Sequence, residues 1–161
     1  MALAIPNPVM PNDFVLQNKT RSKLESLIDG SVNIPANGVC GIILYGVYGT
    51  GKTTMAKLLP GWLETAKTTK FLQSSTAGQI TDLADPCFDY LACSQGQNGA
   101  QLINQIQERT SFVSWNASDL HYVILDECDL LTSAAIASLK SVMNRSDVIF
   151  IFTTNHLNKI D

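Results

Sequence analysis

Apolar residues along this chain fall into two patterns. Short continuous runs, Ile42-Ile43-Leu44, Tyr122-Val123-Ile124-Leu125 and Val148-Ile149-Phe150-Ile151-Phe152, hardly alternate with polar residues. They read as strands, the last two buried on both faces. Elsewhere the apolar positions recur three and four apart: Leu24, Leu27 and Ile28, then Met55, Leu58, Leu59 and Trp62, then Leu102, Ile103 and Ile106, then Ile136, Leu139, Val142 and Met143. That spacing is one face of a helix.

The chain therefore predicts a helix capped at Asn18 or Thr20 and stopped after Asp29 by Gly30, then a strand over about Cys40 to Tyr45. A second helix runs from about Lys52 to Thr65, and Pro60-Gly61 inside it predicts a kink or break. Residues 66–86, with Ser74-Ser75-Thr76-Ala77-Gly78, are the least periodic and read as a loop with room for one short helix. A strand over Phe88 to Cys93, a polar turn over Ser94 to Gly99 and a helix from Ala100 to about Thr110 follow. Trp115 lies in a linker, where its indole is expected to anchor the core. His121 to Leu125 is the third strand, Ser133 to Arg145 a helix and Val148 to Phe152 the fourth strand. Residues 1–13, with Pro6, Pro8 and Pro11, form an irregular arm, and 14–161 form one domain. Strands alternating with helices predict an α/β fold: a parallel sheet with helices on both faces, whose ligands bind at the carboxyl ends of the strands.

The totals agree with a globular domain. The chain has 161 residues, 45% of them hydrophobic, so it can bury a core. A net charge of −3 argues against a nucleic-acid footprint spread over the whole surface. Cys40, Cys87, Cys93 and Cys128 form no CxxC pair and read as free thiols in a reducing, cytosol-like compartment, which for a viral protein would be the host cytoplasm or nucleus. The start of the chain lacks a signal-peptide pattern, and no apolar run approaches the length of a membrane span. His121 and His156 are too far apart in the chain to suggest a metal site and read as structural or solvent-facing.

Candidate chemistry begins where the first strand ends. Gly46-Val47-Tyr48-Gly49-Thr50-Gly51-Lys52-Thr53-Thr54 fits G-x-x-x-x-G-K-[ST]. Phosphate oxygens need several backbone N–H groups pointing into one small bowl, and glycines allow the chain to curl that tightly. The helix beginning here adds unpaired N–H groups and the positive end of its dipole. Lys52 can reach the β- and γ-phosphates, and the Thr53 hydroxyl can ligate Mg²⁺. The plain alternative is a glycine turn with a chance lysine, which at about 7% Gly arises in roughly one such chain in a few hundred.

The third strand runs into Asp126-Glu127-Cys128-Asp129. There Asp126 is placed to hold Mg²⁺ beside Thr53, and Glu127 to orient and polarise a water for attack on the γ-phosphate. The fourth strand ends in Thr153-Thr154-Asn155-His156. If it lies between the first and third strands, Asn155 faces the gap between the glycine loop and the acidic pair, where its amide can bond the water and a phosphate oxygen. Thr154 is the next choice, and a turn-capping Asn is the plain reading.

These segments together resemble the Walker A, Walker B and sensor 1 motifs of AAA+ ATPases, and within that family the clamp-loader subunits, replication factor C and its phage counterparts. Supporting detail lies in Leu91-Ala92-Cys93-Ser94, in Leu130-Leu131-Thr132 through Met143, and in Asn155-His156-Leu157-Asn158-Lys159-Ile160. The resemblance implies a P-loop NTPase three-layer sandwich that binds ATP with Mg²⁺. Gly46, Gly49, Thr50, Gly51, Lys52, Thr53 and Thr54 would hold the nucleotide, Thr53 and Asp126 the metal, and Lys52, Glu127 and Asn155 would be catalytic. It also implies a ring or spiral of AAA+ subunits that loads a sliding clamp onto primer–template DNA. In such an assembly Phe14 and Val15 would lie near adenine, Ala100 to Arg109 would face DNA, and Ser133 to Arg145 would sit near the clamp and a neighbour. The family usually carries Pro-Pro where Val47-Tyr48 stand, Asn at Ala92, and Gln and Arg at Ile136 and Ser141. Its arginine finger, fifth strand and helical lid would follow Asp161, so the resemblance implies the N-terminal part of a longer protein with the first strand at the sheet edge.

Other functions are compatible with a phosphate loop. A viral or plasmid hexameric helicase uses the same loop with a different acidic motif. Superfamily 2 helicases share Asp-Glu-x-Asp but not Thr153-Thr154-Asn155. A small-molecule kinase rarely places Asp-Glu after a buried strand. A nucleotide-binding scaffold with little hydrolysis is the reading outside the motor enzymes.

Overall fold

Side chains alternate between the two faces of a strand, so a strand apolar at every position needs cover on both sides. The computed structural model, which describes residues 7–73, 83–93 and 99–159, provides it. Strands β1 (Gly41–Tyr45), β2 (Asp89–Ala92), β3 (His121–Asp126) and β4 (Val148–Thr154) form one sheet in the order β1-β4-β3-β2, with every pairing parallel. Helices α1 (Asn18–Ile28) and α2 (Lys52–Gln73) cover one face, and α3 (Ala100–Arg109) and α4 (Ser133–Val142) the other. Val123 and Leu125 of β3, with Val148, Phe150 and Phe152 of β4, join the α3–α4 side. Tyr122, Ile124, Ile149 and Ile151 join the α1–α2 side. The expected three-layer α/β sandwich is observed, with the fourth strand between the first and third.

Several local expectations need correction. Helix α2 is not broken at Pro60 and runs on to Gln73. A proline inside a helix costs about 3 kcal/mol, but each large apolar side chain buried beside it returns about 1.5–3 kcal/mol. Leu59, Trp62 and Leu63 are all essentially inaccessible. Polar bonds hold the same stretch of the helix as well. The buried Glu64 carboxylate accepts from the Ser118 hydroxyl, the Ser118 N–H at 2.8 Å and the Tyr122 hydroxyl at 2.7 Å. The cap of α1 is Gln17 and makes no side-chain bond, so neither Asn18 nor Thr20 serves. Helix α4 ends at Val142 rather than Arg145, whose guanidinium reaches Asp147 and the Thr110 carbonyl at 2.7 Å.

Part of the expected arm is ordered onto the core. Pro11–Asp13 form a 3-10 turn, and the Trp62 indole N–H donates to the Val9 carbonyl at 3.1 Å. Residues 1–6 of the arm, 74–82 of the expected loop, 94–98 of the expected polar turn, and 160 and 161 lie outside the described residues.

Gly61 sits where α2 meets the segment leading to β2. A Cβ there would fall 2.9 Å from the Ala84 carbonyl oxygen, and the Ala84 N–H donates to the Thr65 hydroxyl at 2.9 Å. Helix propensity alone favours Gly61→Ala by about 1 kcal/mol. The contact reverses the sign, and a net loss of about 1–3 kcal/mol is expected in urea unfolding. An unchanged or raised midpoint would show that the segment yields freely.

Candidate functional site

Parallel pairing sets the carboxyl ends of the strands side by side. Tyr45 aligns with Thr154, and Ala92 with Asp126. The glycine loop therefore leaves β1 next to the end of β4. Gly49 and Gly51 take φ of 75° and 81°, the left-handed region that glycine enters without a steric cost. Two side chains of the loop close it on itself. The Thr50 hydroxyl donates to the Val47 carbonyl at 2.9 Å, and the Lys52 ammonium donates to the Gly46 and Val47 carbonyls at 3.0 and 2.7 Å. Lys52 also opens α2, so the free N–H groups of the helix start lie beside the loop.

The strand tips bring the acidic residues to this point. Thr53, on the first turn of α2, donates its hydroxyl to Asp126 Oδ1 at 2.9 Å and Oδ2 at 3.1 Å, across 73 residues of chain. Thr153 donates to Oδ1, and the Tyr90 hydroxyl to Oδ2 at 2.6 Å. Burial alone would push the Asp126 carboxyl up, but the Thr153, Tyr90 and Thr53 hydroxyls and the nearby Lys57 charge outweigh it and hold the group below its usual range. Burial, the Asp126 hydrogen bond and its charge push the Tyr90 phenol up to about 12, so it stays a donor. Cys93 and Cys128 are buried free thiols, pushed up to about 12 by burial and neighbouring negative groups, and are not nucleophiles at neutral pH.

Glu127 adopts φ 56°, ψ 45°, a left-handed turn that leaves its side chain exposed next to the buried Asp126. Its N–H donates to the Thr153 hydroxyl at 2.9 Å. Lys52, Thr53, Glu127, Thr153 and Asn155 line one cavity of about 360 Å³ together with the glycine loop. A second cavity of about 440 Å³ adjoins it, sharing Thr50, Gly51 and Lys52 and reaching Val15, Leu16 and Thr20. The oxygen donors at Thr53 and Asp126 suit a hard dication such as Mg²⁺, which takes one or two carboxylates and keeps several waters.

All the sequence-predicted site residues thus meet at one end of the sheet, but not every assignment stands. Thr154 is fully buried and donates to Asp129 at 3.0 Å, so it does not line the cavity. Asn155 does, and its backbone N–H donates to the same Asp129 oxygen at 3.3 Å. Phe14 is not open to a ligand. Its ring lies in the core edge-on to Trp62, with centroids 6.3 Å apart, and backs onto Gly51. Val15, fully exposed, lines the adjoining cavity instead. Trp115 does not anchor the core. It is 93% exposed beside Phe112 at 70% and Val113 at 84%, at the opposite end of the sheet. Arg109 on α3 is paired with Asp89 at 2.7 Å.

Tyr90, Thr153 and Asp129 were missed as working residues. For Tyr90 the signal was parity. It lies two residues before Ala92, which pairs with Asp126, so it shares that face. For Thr153 the signal was its place on the strand neighbouring Asp126.

Comparison with known proteins follows the same lines. The profile of the "ATPase family associated with various cellular activities (AAA)" matches residues 42–161. No curated protein sequence matches the chain. Among solved structures, the chain is similar to a DNA polymerase III gamma subunit-related protein of Thermotoga maritima, with TM-score 0.55 and 18% identity over 85% of this chain and 42% of that one. It is also similar to the Thermotoga maritima RuvB Holliday junction branch migration motor, with TM-score 0.61 and 14% identity over 96% and 44%. A third is PCH-2 of C. elegans, with TM-score 0.55 and 19% identity over 92% and 40%. At these identities the likeness speaks for the fold, and the chain spans less than half the length of each. No helix among the described residues is long and apolar enough to cross a membrane.

Thr153→Val keeps the shape but removes both the acceptor for the Glu127 N–H and a donor to Asp126 at a site 2% exposed. A loss of about 1–3 kcal/mol is expected in denaturant unfolding. A neutral result would mean that other groups take up both bonds.

Proposed function

The chain belongs to the AAA family of ATPases, and from that premise we propose that it binds ATP with Mg²⁺ and hydrolyses it to drive a DNA-replication assembly, loading a sliding clamp onto primed DNA. The observation that carries the ATPase reading is the Thr53–Asp126 hydrogen bond of 2.9 Å, with Thr53 lining the glycine-loop cavity. It joins the phosphate loop to the acidic strand tip, as hydrolysis of a metal-bound triphosphate requires.

On this reading the N–H groups of Gly49, Thr50, Gly51, Lys52, Thr53 and Thr54 cradle the phosphates, with Gly46 opening the turn. The Lys52 ammonium exchanges the carbonyls of its own loop for phosphate oxygens. Thr53 and Asp126 would hold Mg²⁺, which when bound neutralises charge on the β- and γ-phosphate oxygens. Glu127 orients a water and accepts its proton as the new O–P bond forms and the bond to the bridging oxygen of ADP breaks. The Asn155 amide steadies the water and a γ-phosphate oxygen. The apolar cavity beside Val15 suits the base.

Clamp loading is supported by the motif resemblance and by the likeness to a polymerase III gamma-related protein. Partners would be other AAA+ subunits in a ring or spiral, the clamp and primer–template DNA. The exposed Phe112, Val113 and Trp115 form a surface of the kind protein partners cover. The likeness to a branch migration motor favours a hexameric helicase as the second reading.

Glu127→Gln is expected to keep ATP binding and lower turnover about 100-fold or more, whereas Lys52→Ala should lose binding, both read with a fluorescent ATP analogue and a phosphate-release assay. Normal turnover in Glu127→Gln would remove Glu127 as the base, and negligible turnover in the unaltered protein under all conditions would favour the scaffold. Turnover is expected to rise with clamp and primed DNA together. No response to either, with strand unwinding by the protein, would replace the loader with the helicase.

A further inference from the structure

The sheet edge at β2 carries a tyrosine turned the unusual way. Tyr90 is 37% exposed. A half-exposed tyrosine ordinarily lays its ring on apolar surface and gives its hydroxyl to water. Here the hydroxyl points inward and donates to Asp126 Oδ2 at 2.6 Å. The Lys57 ammonium, from the second turn of α2, sits 4.3 Å from the centre of the ring. A cation over an aromatic face draws on its electron density and pins the ring in place.

The torsion that turns a carboxylate about its own stem is broad and sets no plane by itself. The plane of Asp126 is therefore fixed by its partners. Thr153 holds Oδ1, while Thr53 shares one hydrogen between both oxygens at 2.9 and 3.1 Å. Among the described residues, only Tyr90 holds Oδ2 without dividing its donor among other acceptors. Thr53 is also the hydroxyl whose oxygen would face the metal.

Resting on the ATPase reading above, we propose that Tyr90 is a positioning residue: its phenol, steadied by Lys57, fixes the plane of the Asp126 carboxylate and thereby sets the affinity of the site for Mg²⁺. A carboxylate offers about four lone-pair directions: Thr153 takes one on Oδ1, Tyr90 one on Oδ2, and Thr53 lies across one of each, so the directions that Thr53 gives up on turning its oxygen to the metal are the ones open to the ion or its water. Groups that orient a metal ligand in this way typically change metal affinity about 10–100-fold when removed.

The test uses Tyr90→Phe, which keeps the ring and the Lys57 contact and deletes only the hydroxyl. Binding of a fluorescent ATP analogue is titrated with Mg²⁺, repeated in EDTA, and paired with direct Mn²⁺ binding by electron paramagnetic resonance. The Mg²⁺ half-saturation is expected to rise about tenfold, Mn²⁺ binding to weaken in parallel, metal-free nucleotide affinity to stay as in the unaltered protein, and turnover to recover at high Mg²⁺. An unchanged half-saturation or an equal loss of affinity in EDTA would each overturn the proposal. If the unaltered protein binds the analogue with no dependence on Mg²⁺, the ATPase reading falls first and takes this role with it.

Discussion

The Asp126 carboxylate lies where α2, β2 and β4 meet, and each of those elements sends it one hydroxyl: Thr53, Tyr90 and Thr153. A charged group that is 7% exposed would be costly without such donors. The choice of neutral donors has a consequence. An arginine or lysine in direct contact would cancel the charge, whereas hydroxyls stabilise it and leave it whole. The salt bridges among the described residues, Arg109–Asp89 and Arg145–Asp147, lie elsewhere. The strand tip therefore keeps a net negative charge aimed at a loop of positive N–H dipoles and the Lys52 ammonium. A metal-bound polyphosphate is complementary to both halves of that arrangement.

The sheet order turns distant sequence into a neighbourhood. With β4 between β1 and β3, the glycine loop, Asn155 and Glu127 emerge from adjacent strands. A second clasp holds the tip of β4. Asp129 accepts from the Thr154 hydroxyl and the Asn155 N–H, which ties the turn after β3 to the end of β4. Consecutive threonines thus do opposite jobs. Thr153 serves the site and Thr154 serves the scaffold, as the alternation of a strand requires.

The layers were legible because continuous apolar runs and helical stripes do not mimic one another at these lengths, whereas the strand order entered only as a condition on Asn155. The glycine loop and Asp126-Glu127 were legible because backbone geometry and metal chemistry demand particular residues at particular offsets. What was not legible depended on tertiary company. Pro60 read as a breaker, but buried Leu59, Trp62 and Leu63 and the Glu64 clasp outweigh local preference. Trp115 read as core because indoles usually are, and no local signal marks it as exposed. Phe14 and Val15 were expected to lie together near the base, and they part because a single residue of phase decides which one faces Trp62.

Glu127 carries one more implication. An L-residue other than asparagine or aspartate is held in the left-handed region at a cost of about 1–3 kcal/mol. Glycine or asparagine at that position would relieve the backbone and, on the proposed reading, would remove the group that handles the water. Selection for thermal robustness alone would therefore drift toward an inert protein at this position. If the proposed role holds, catalytic competence and conformational ease are set against each other in one dihedral angle, so a library of stabilised variants should be screened for turnover before this residue is allowed to vary.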